Sequence, residues 1–273
     1  MASTFNARDA AAYERSMGRW SRRLAPGFIA FAGLDGARSV LDVGCGTGSL
    51  LFELAANPVF DRLEGLDASD IYVHAARARS ADSRIGIQHG DACVMPFDDA
   101  AFDAALSQLV LQFIPDPAAA VAEMRRVVRP GGIVAAAVWN SGGGMPHQRM
   151  FWDTAAMLDP AAVALRGQTF NRPMTRRGDL HSLFEQTGLE NVSEFFATIW
   201  IDFDGFDDFW GPIASGEGTL GKYVKSLPAR AASRLQLHLQ TAYEAGQPDG
   251  PRPFACTAHI CRGMVPAAPT EEG

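Results

Sequence analysis

Three glycines and three carboxylates carry the spacing in this sequence that most plainly invites chemistry. Gly44, Gly46 and Gly48, with Cys45 inside the turn, follow the apolar stretch VLDV and precede a helical run. Glycine permits a tight turn and close backbone approach to a ligand, and the start of the following helix favours a carboxylate or phosphate. Asp67 stands nineteen residues past Gly48, at the end of the next apolar segment, where a carboxylate can accept hydrogen bonds from both hydroxyls of a ribose. Asp91 stands 24 positions further on, placed to accept from the exocyclic amine of an adenine. Asp42, just before the glycine turn, adds a third carboxylate, and the ligand must tolerate or prefer positive charge.

The elements that position these groups alternate in type. Strand-like runs at VLDVG, RLEGLD, RIGIQHGD, FDAALSQLVL and IVAAAVW are separated by helical ones, among them Ser69 to Arg79 and Pro117 to Arg129. That rhythm predicts a Rossmann-like, doubly wound α/β sheet of mostly parallel strands. The helix at 117 is well punctuated, with Asp116 as cap, Pro117 in the first turn and an inward stripe of Ala118, Val121, Met124 and Val128. Before the sheet, Tyr13, Met17, Trp20 and Leu24 line one helical face, which Pro26 and Gly27 should interrupt. Helices are expected near 147 to 158 and 176 to 187, a strand at LENVSEFFATIWI, helices over 206 to 245 and a last strand at PFACTAHIC. The division is an N-terminal helical lid (1–33), an α/β core (34–201), a helical cap insertion (202–250), a final core strand (251–263) and a tail (264–273).

A dinucleotide fingerprint asks for a third small residue where Ser49 stands, so a pyrophosphate is poorly served, and Asp91 is surplus to it. A nicotinamide-dependent oxidoreductase is therefore the alternative reading. S-adenosylmethionine (SAM) fits better, with an ammonium for Asp42, a ribose for Asp67 and an adenine for Asp91. The glycine turn, GLDAS, GDACVMPF, FDAALSQ and EMRRVVRPGGIVAAAVW stand in an order that resembles the class I SAM-dependent methyltransferases, in particular the small-molecule group of ubiquinone and menaquinone type. The resemblance implies a seven-stranded sheet whose last strand is antiparallel and lies between the fifth and sixth. It also implies that the glycines take the methionine end, Ala68 flanks the adenine, the Ala92 amide joins Asp91 at its edge and Gln108 faces the methyl group. S-adenosylhomocysteine (SAH) is the corresponding product.

Displacement at an activated methyl carbon asks mainly for alignment and exclusion of water. If the acceptor is a phenol or enol, a base assists, and His147, after the fifth strand and the GGGMP loop, is the first candidate; its alternative is a solvent-facing residue at a helix start. Tyr13, Arg19 and Trp20 are candidates for a lid over the cofactor, with Tyr13 or Arg19 reaching its carboxylate. Trp139, Phe151, Trp210 and Tyr223 are candidates to line a hydrophobic acceptor pocket. A second glycine pattern, Gly216, Gly218 and Gly221, lacks a preceding strand and reads as a cap loop.

The remaining composition narrows the classes. The chain has 273 residues, 47% of them hydrophobic, and a net charge of −7, which disfavours nucleic acid. Arg8, Asp9, Glu14 and Arg15 interrupt the apolar run that a secretory leader needs, and no run approaches a membrane-spanning length, so no integral membrane association and a cytoplasmic location are expected. Cys45, Cys93, Cys256 and Cys261 show no paired spacing, which favours reduced thiols over a metal site. The expected partner is a small-molecule methyl acceptor. A SAM-binding module without turnover is the non-enzymatic alternative.

Overall fold

The computed structural model describes residues 10–216 and 218–267, without the side chains of Ala12, Arg15 and Ser16. The N-terminal leader reading at Arg8 and Asp9, and residues 268–273 of the tail, lie outside that range.

Seven strands form one sheet: β1 (Ser39–Val43), β2 (Arg62–Asp67), β3 (Ile85–His89), β4 (Phe102–Gln108), β5 (Val128–Trp139), β6 (Glu190–Phe203) and β7 (Arg252–Met264). Their order is β3-β2-β1-β4-β5-β7-β6, and β7 runs antiparallel to both neighbours, as the resemblance implies. The order reverses between β1 and β4, so the turns leaving β1 and β4 flank a crevice at the carboxyl ends of the strands. The apolar run of β5 is explained by burial on both faces. Ala135, Ala137 and Trp139 face one core, and Val134, Ala136 and Val138 the other.

The first core is covered by α2 (Arg19–Ala32), α3 (Ser49–Ala55) and α4 (Asp70–Arg79), the second by α5 (Pro117–Val127) and α8 (Asp179–Gln186). Ahead of α2 lie a short helical turn, α1 (Ala10–Tyr13), and a π-helical turn, Glu14–Gly18. Pro26 does not interrupt the N-terminal helix. It lies inside α2, where burial of Leu24, Ala25 and Phe28 outweighs the one backbone bond that proline forgoes. Asp116 caps α5 through the Ala119 amide at 3.0 Å, yet the helix stops at Val127 and β5 starts at once. Its inward face is therefore Ala120, Val121, Met124 and Val127, while Ala118 is exposed.

Two excursions build a cap on the first core. One is α6 (Pro146–Leu158) with α7 (Pro160–Phe170), the second of which the sequence reading missed. The other is α9 (Phe206–Ser215), α10 (Gly218–Ser226) and α11 (Ala229–Glu244), inserted between β6 and β7. Gly216 ends α9 with φ +101°, and Gly221 lets α10 pass against it, because a Cβ at 221 would overlap the Gly216 backbone. That packing accounts for the second glycine pattern; Glu217 lies outside the described residues. Among the described residues no helix is long and apolar enough to cross a membrane.

Candidate functional site

The glycine turn leaves β1 at the carboxyl edge of the sheet and is laced to the end of β2. The Gly44 and Cys45 amides donate to the Leu66 carbonyl at 2.7 and 3.0 Å. Gly44 and Gly48 have φ of +76° and +93°, where a side chain would be strained, and a Cβ on Gly44 would stand 2.5 Å from Val110. Cys45 turns inward, its thiol packed over Gly65, and burial pushes its pKa well up. The Gly46 amide donates to Asp67 Oδ2 and the Ser69 amide to Oδ1, each at 2.8 Å. Asp67 thus fixes the turn as well as ending β2. Burial raises its pKa, and the two amides and His89 act against that rise.

Asp67 pairs in register with His89, and Asp91 follows two residues after β3 ends, so the two acids share one sheet edge. Asp91 Oδ1 accepts from the Cys93 amide at 2.9 Å. Asp91 and Ala68 are exposed, and Ala92 is half-buried. Val94, bridged to Asp91, is 75% exposed, an apolar surface beside a carboxylate where a flat heterocycle could lie. Asp42 is buried at the end of β1, and desolvation together with the nearby Asp67 charge pushes its pKa up to about 8.

The N-terminal turns close over this edge. Tyr13 lies against Tyr72, ring centroids 5.1 Å apart, with its hydroxyl 3.4 Å from Ser21 Oγ and 4.0 Å from the position a Cβ on Gly46 would take. Burial raises the phenol to about 12. Glu14, one residue on, is held by the Thr47 hydroxyl and by Arg22, and by Arg79 Nη1 at 3.0 Å. Arg19 points elsewhere. It pairs with Asp208 of α9 at 3.0 Å and lies 4.1 Å over the Trp20 ring, which itself meets Phe203 edge-on. Arg19 and Trp20 therefore join the lid to the cap, and the structure does not bring them to the glycine turn.

Gln108 ends β4 and is buried, with Nε2 donating to the Ser21 carbonyl at 3.0 Å and Oε1 left without a partner. Its register partner in β5 is Ala137, so Trp139 is two residues further along the same face, and the buried Trp139 Nε1 is also unpartnered. His147 opens α6 and is buried rather than solvent-facing, with Nδ1 3.5 Å from Cys256 Sγ and rings of Phe203 and Phe254 around it. Desolvation lowers its pKa to about 4. Its proton NMR signals should therefore stay flat from pH 8 to 5 and move only near pH 4; a midpoint near 6.5 would show a wetter site. Phe151 is fully buried against Trp152 and Tyr223, and Tyr223 donates to Asp159 Oδ2 at 2.9 Å, so both serve packing within the cap. Trp210 stacks on Phe206.

The residues present suit SAM. A turn opened by three glycines adjoins a buried acid that suits an ammonium, a strand-end acid that suits a ribose and another that suits an adenine edge, and Gln108 at the end of β4 holds an unpartnered acceptor. Sequence reasoning missed Thr47, Arg22, Arg79 and Val94 and gave Glu14 no role at the site. Only the wiring of the sheet brings Arg79 beside Thr47, and no motif marks that pairing.

A family profile described as "Methyltransferase domain" matches residues 41–136. A protein from transposon TN4556 of Streptomyces fradiae is 43% identical over 96 residues, covering 34% of this chain and 28% of that one. The demethylmenaquinone methyltransferase of Roseiflexus castenholzii is 38% identical over 107 residues, covering 39% and 45%. The chain thus spans less than half the length of these two relatives. The demethylmenaquinone methyltransferase of Bacillus subtilis is 30% identical over 171 residues, covering 58% of this chain and 73% of that enzyme. The solved YcgJ protein of the same genus superposes with a TM-score of 0.58 at 18% identity, covering 92% of this chain and all (100%) of that one, a likeness of fold. With that fold, that turn and those relatives, the chain belongs to the class I SAM-dependent methyltransferases, in the group that includes the menaquinone- and ubiquinone-type enzymes.

Proposed function

We propose that this protein transfers a methyl group from SAM to an oxygen or carbon of a small, aromatic or otherwise hydrophobic acceptor. The observation that carries the reading is the convergence of Asp42, Asp67 and Asp91 on adjacent strand ends around the Gly44–Gly48 turn. In this reading Gly44, Gly46 and Gly48 lie under the methionine end, Asp42 faces its ammonium, Asp67 holds the ribose, and Ala68, Asp91 and Ala92 bound the adenine. Bound SAM supplies a methyl carbon activated by its sulfonium.

The chain's own task is then to align an acceptor and keep water out. Gln108, its Nε2 committed to Ser21, keeps Oε1 as an unpartnered acceptor at the end of β4. Trp139 presents an indole N–H from the same face. Trp210 and the Trp20–Phe203 contact supply apolar wall, with Phe151 and Tyr223 supporting it from behind. His147 is the candidate base, in neutral form above about pH 4. Tyr13 covers the cofactor side.

Titration calorimetry with SAH and with NADH separates the two enzyme classes. We expect SAH to bind and NADH not to; the reverse would end the proposal. Incubation with methyl-labelled SAM and cell extract, followed by mass spectrometry, then identifies the acceptor. Demethylmenaquinone, the substrate in the relatives' names, heads a defined panel. Cofactor binding with no labelled product in either assay would favour a sensing module.

A further inference from the structure

We propose that Arg22, Arg79 and the Thr47 hydroxyl form a clamp for the cofactor's α-carboxylate, and that the Glu14 carboxylate seated there occupies the clamp in its place until the cofactor arrives. The inference rests on the reading of the glycine turn as the methionine site, and it goes beyond that reading by assigning the carboxylate's partners and an internal competitor for them.

Four observations support it. Thr47 belongs to the glycine turn itself and is buried, yet its hydroxyl is turned to a carboxylate from another element. Two guanidinium groups converge on that same carboxylate: Arg22 contacts Oε2, and Arg79 Nη1 lies 3.0 Å from Oε1 while also donating to the Thr47 carbonyl at 2.9 Å. A hydroxyl and two guanidinium groups around one carboxylate make a general carboxylate site, indifferent to whether a side chain or an amino acid supplies the oxygens. Finally, Gly18 gives the Glu14 side chain its place, because a Cβ there would stand 2.9 Å from the Glu14 carboxyl carbon. Glu14 opens a π-helical turn, Glu14–Gly18, a form that recurs at functional sites and can rewind as an α-helix. Rewinding would carry Glu14 along the helix and free the clamp. The lid would then be latched by its own acid when empty and by the cofactor's when loaded.

A latch that helps binding and a competitor that opposes it differ in sign. SAH carries the α-carboxylate, and 5′-methylthioadenosine keeps the adenosine and thioether without it. Calorimetry on folded variants should find Glu14→Gln binding SAH about 10-fold more tightly, the worth of a charge-assisted contact removed from the competing state. Its affinity for 5′-methylthioadenosine should be unchanged. The double variant Arg22→Gln, Arg79→Gln should weaken SAH by about 10-fold or more and leave 5′-methylthioadenosine within about 2-fold. The double variant Arg22→Gln, Arg79→Lys should recover part of that loss. A Glu14→Gln protein that binds SAH no better than wild type, or loses of equal size for both ligands, would overturn the exchange while leaving the cofactor reading intact. Wild-type protein that binds neither ligand would overturn that reading and the clamp with it.

Discussion

At pH 9 the Asp42→Asn protein is expected to be several kcal/mol more stable than wild type and yet to bind SAH more weakly. The opposite signs come from one buried group. The Asp42 carboxyl is shielded from water and lies near Asp67, so its folded-state pKa is about 8, against an ordinary 3.8. The folded protein keeps this proton across a range where the unfolded chain has released it. The stability of wild type is then unaffected by Asp42 below about pH 4, falls as pH rises toward 8 and levels off above it. At about 1.4 kcal/mol per unit, the plateau loss reaches up to about 6 kcal/mol. Asparagine has nearly the same shape and no proton to lose, so that slope should vanish from the variant. Denaturant melts at pH 5, 7 and 9 measure the difference, because titrations elsewhere are common to both proteins and cancel. Parallel curves would mean that Asp42 is hydrated and ionised in the folded state.

The cofactor reverses the preference. An ammonium beside Asp42 favours the carboxylate, so SAH binding to wild type should expel about one proton near pH 6 to 7 and strengthen as pH rises to 8. Calorimetry in buffers of different ionisation enthalpy reads that proton directly. The asparagine variant should release none and bind about 10-fold more weakly at pH 8, having lost the charge-assisted partner.

Much of this site was legible in the sequence because its parts are local. A strand that must run straight into a backbone turn shows itself as apolar residues followed by glycines. Asp67 and Asp91 mark strand ends by their position after apolar runs. The sheet order was available only through the family resemblance, since alternation alone does not say where β7 inserts. What stayed hidden depends on contacts between distant segments. Glu14, Thr47 and Arg79 meet across 33 and 65 positions of chain, and no periodicity encodes such a meeting. The aromatic candidates were misweighted for a related reason. Phe151 and Tyr223 look like pocket residues by type, but the missed helix α7, led by its capping residue Asp159, gives Tyr223 a hydrogen-bond partner and turns both rings into the cap. Pro26 misled in the other direction, because local propensity yields to a face as buried as that of α2.

Asp67→Ala should weaken SAH binding about 10- to 150-fold, the 1.5–3 kcal/mol attached to hydrogen bonds made by a charged group. Its carboxylate has two tasks, and the variant must be read with both in view. Each oxygen already accepts one backbone amide, Gly46 on Oδ2 and Ser69 on Oδ1. Carboxylate oxygens have further lone pairs, so ribose hydroxyls can be accepted without displacing either amide. Alanine would remove the proposed ribose contact and also leaves two amides of the turn and the α4 entry to water, with a modest cost in stability. A loss of ribose contact and a loosened turn predict different patterns across ligands. If the ribose contact dominates, free adenine should bind the variant as it binds wild type, while adenosine and SAH weaken together. If the turn itself fails, SAH should weaken far more than adenosine, because the proposed reading puts the glycines under the methionine end. Asp67→Asn separates the two further: its single carbonyl oxygen can keep one amide but loses the charge, so its affinity should fall between those of wild type and alanine. A folded Asp67→Ala protein with undiminished SAH affinity would remove Asp67 from the site, and with it the alignment of strand-end acids on which the cofactor's orientation depends.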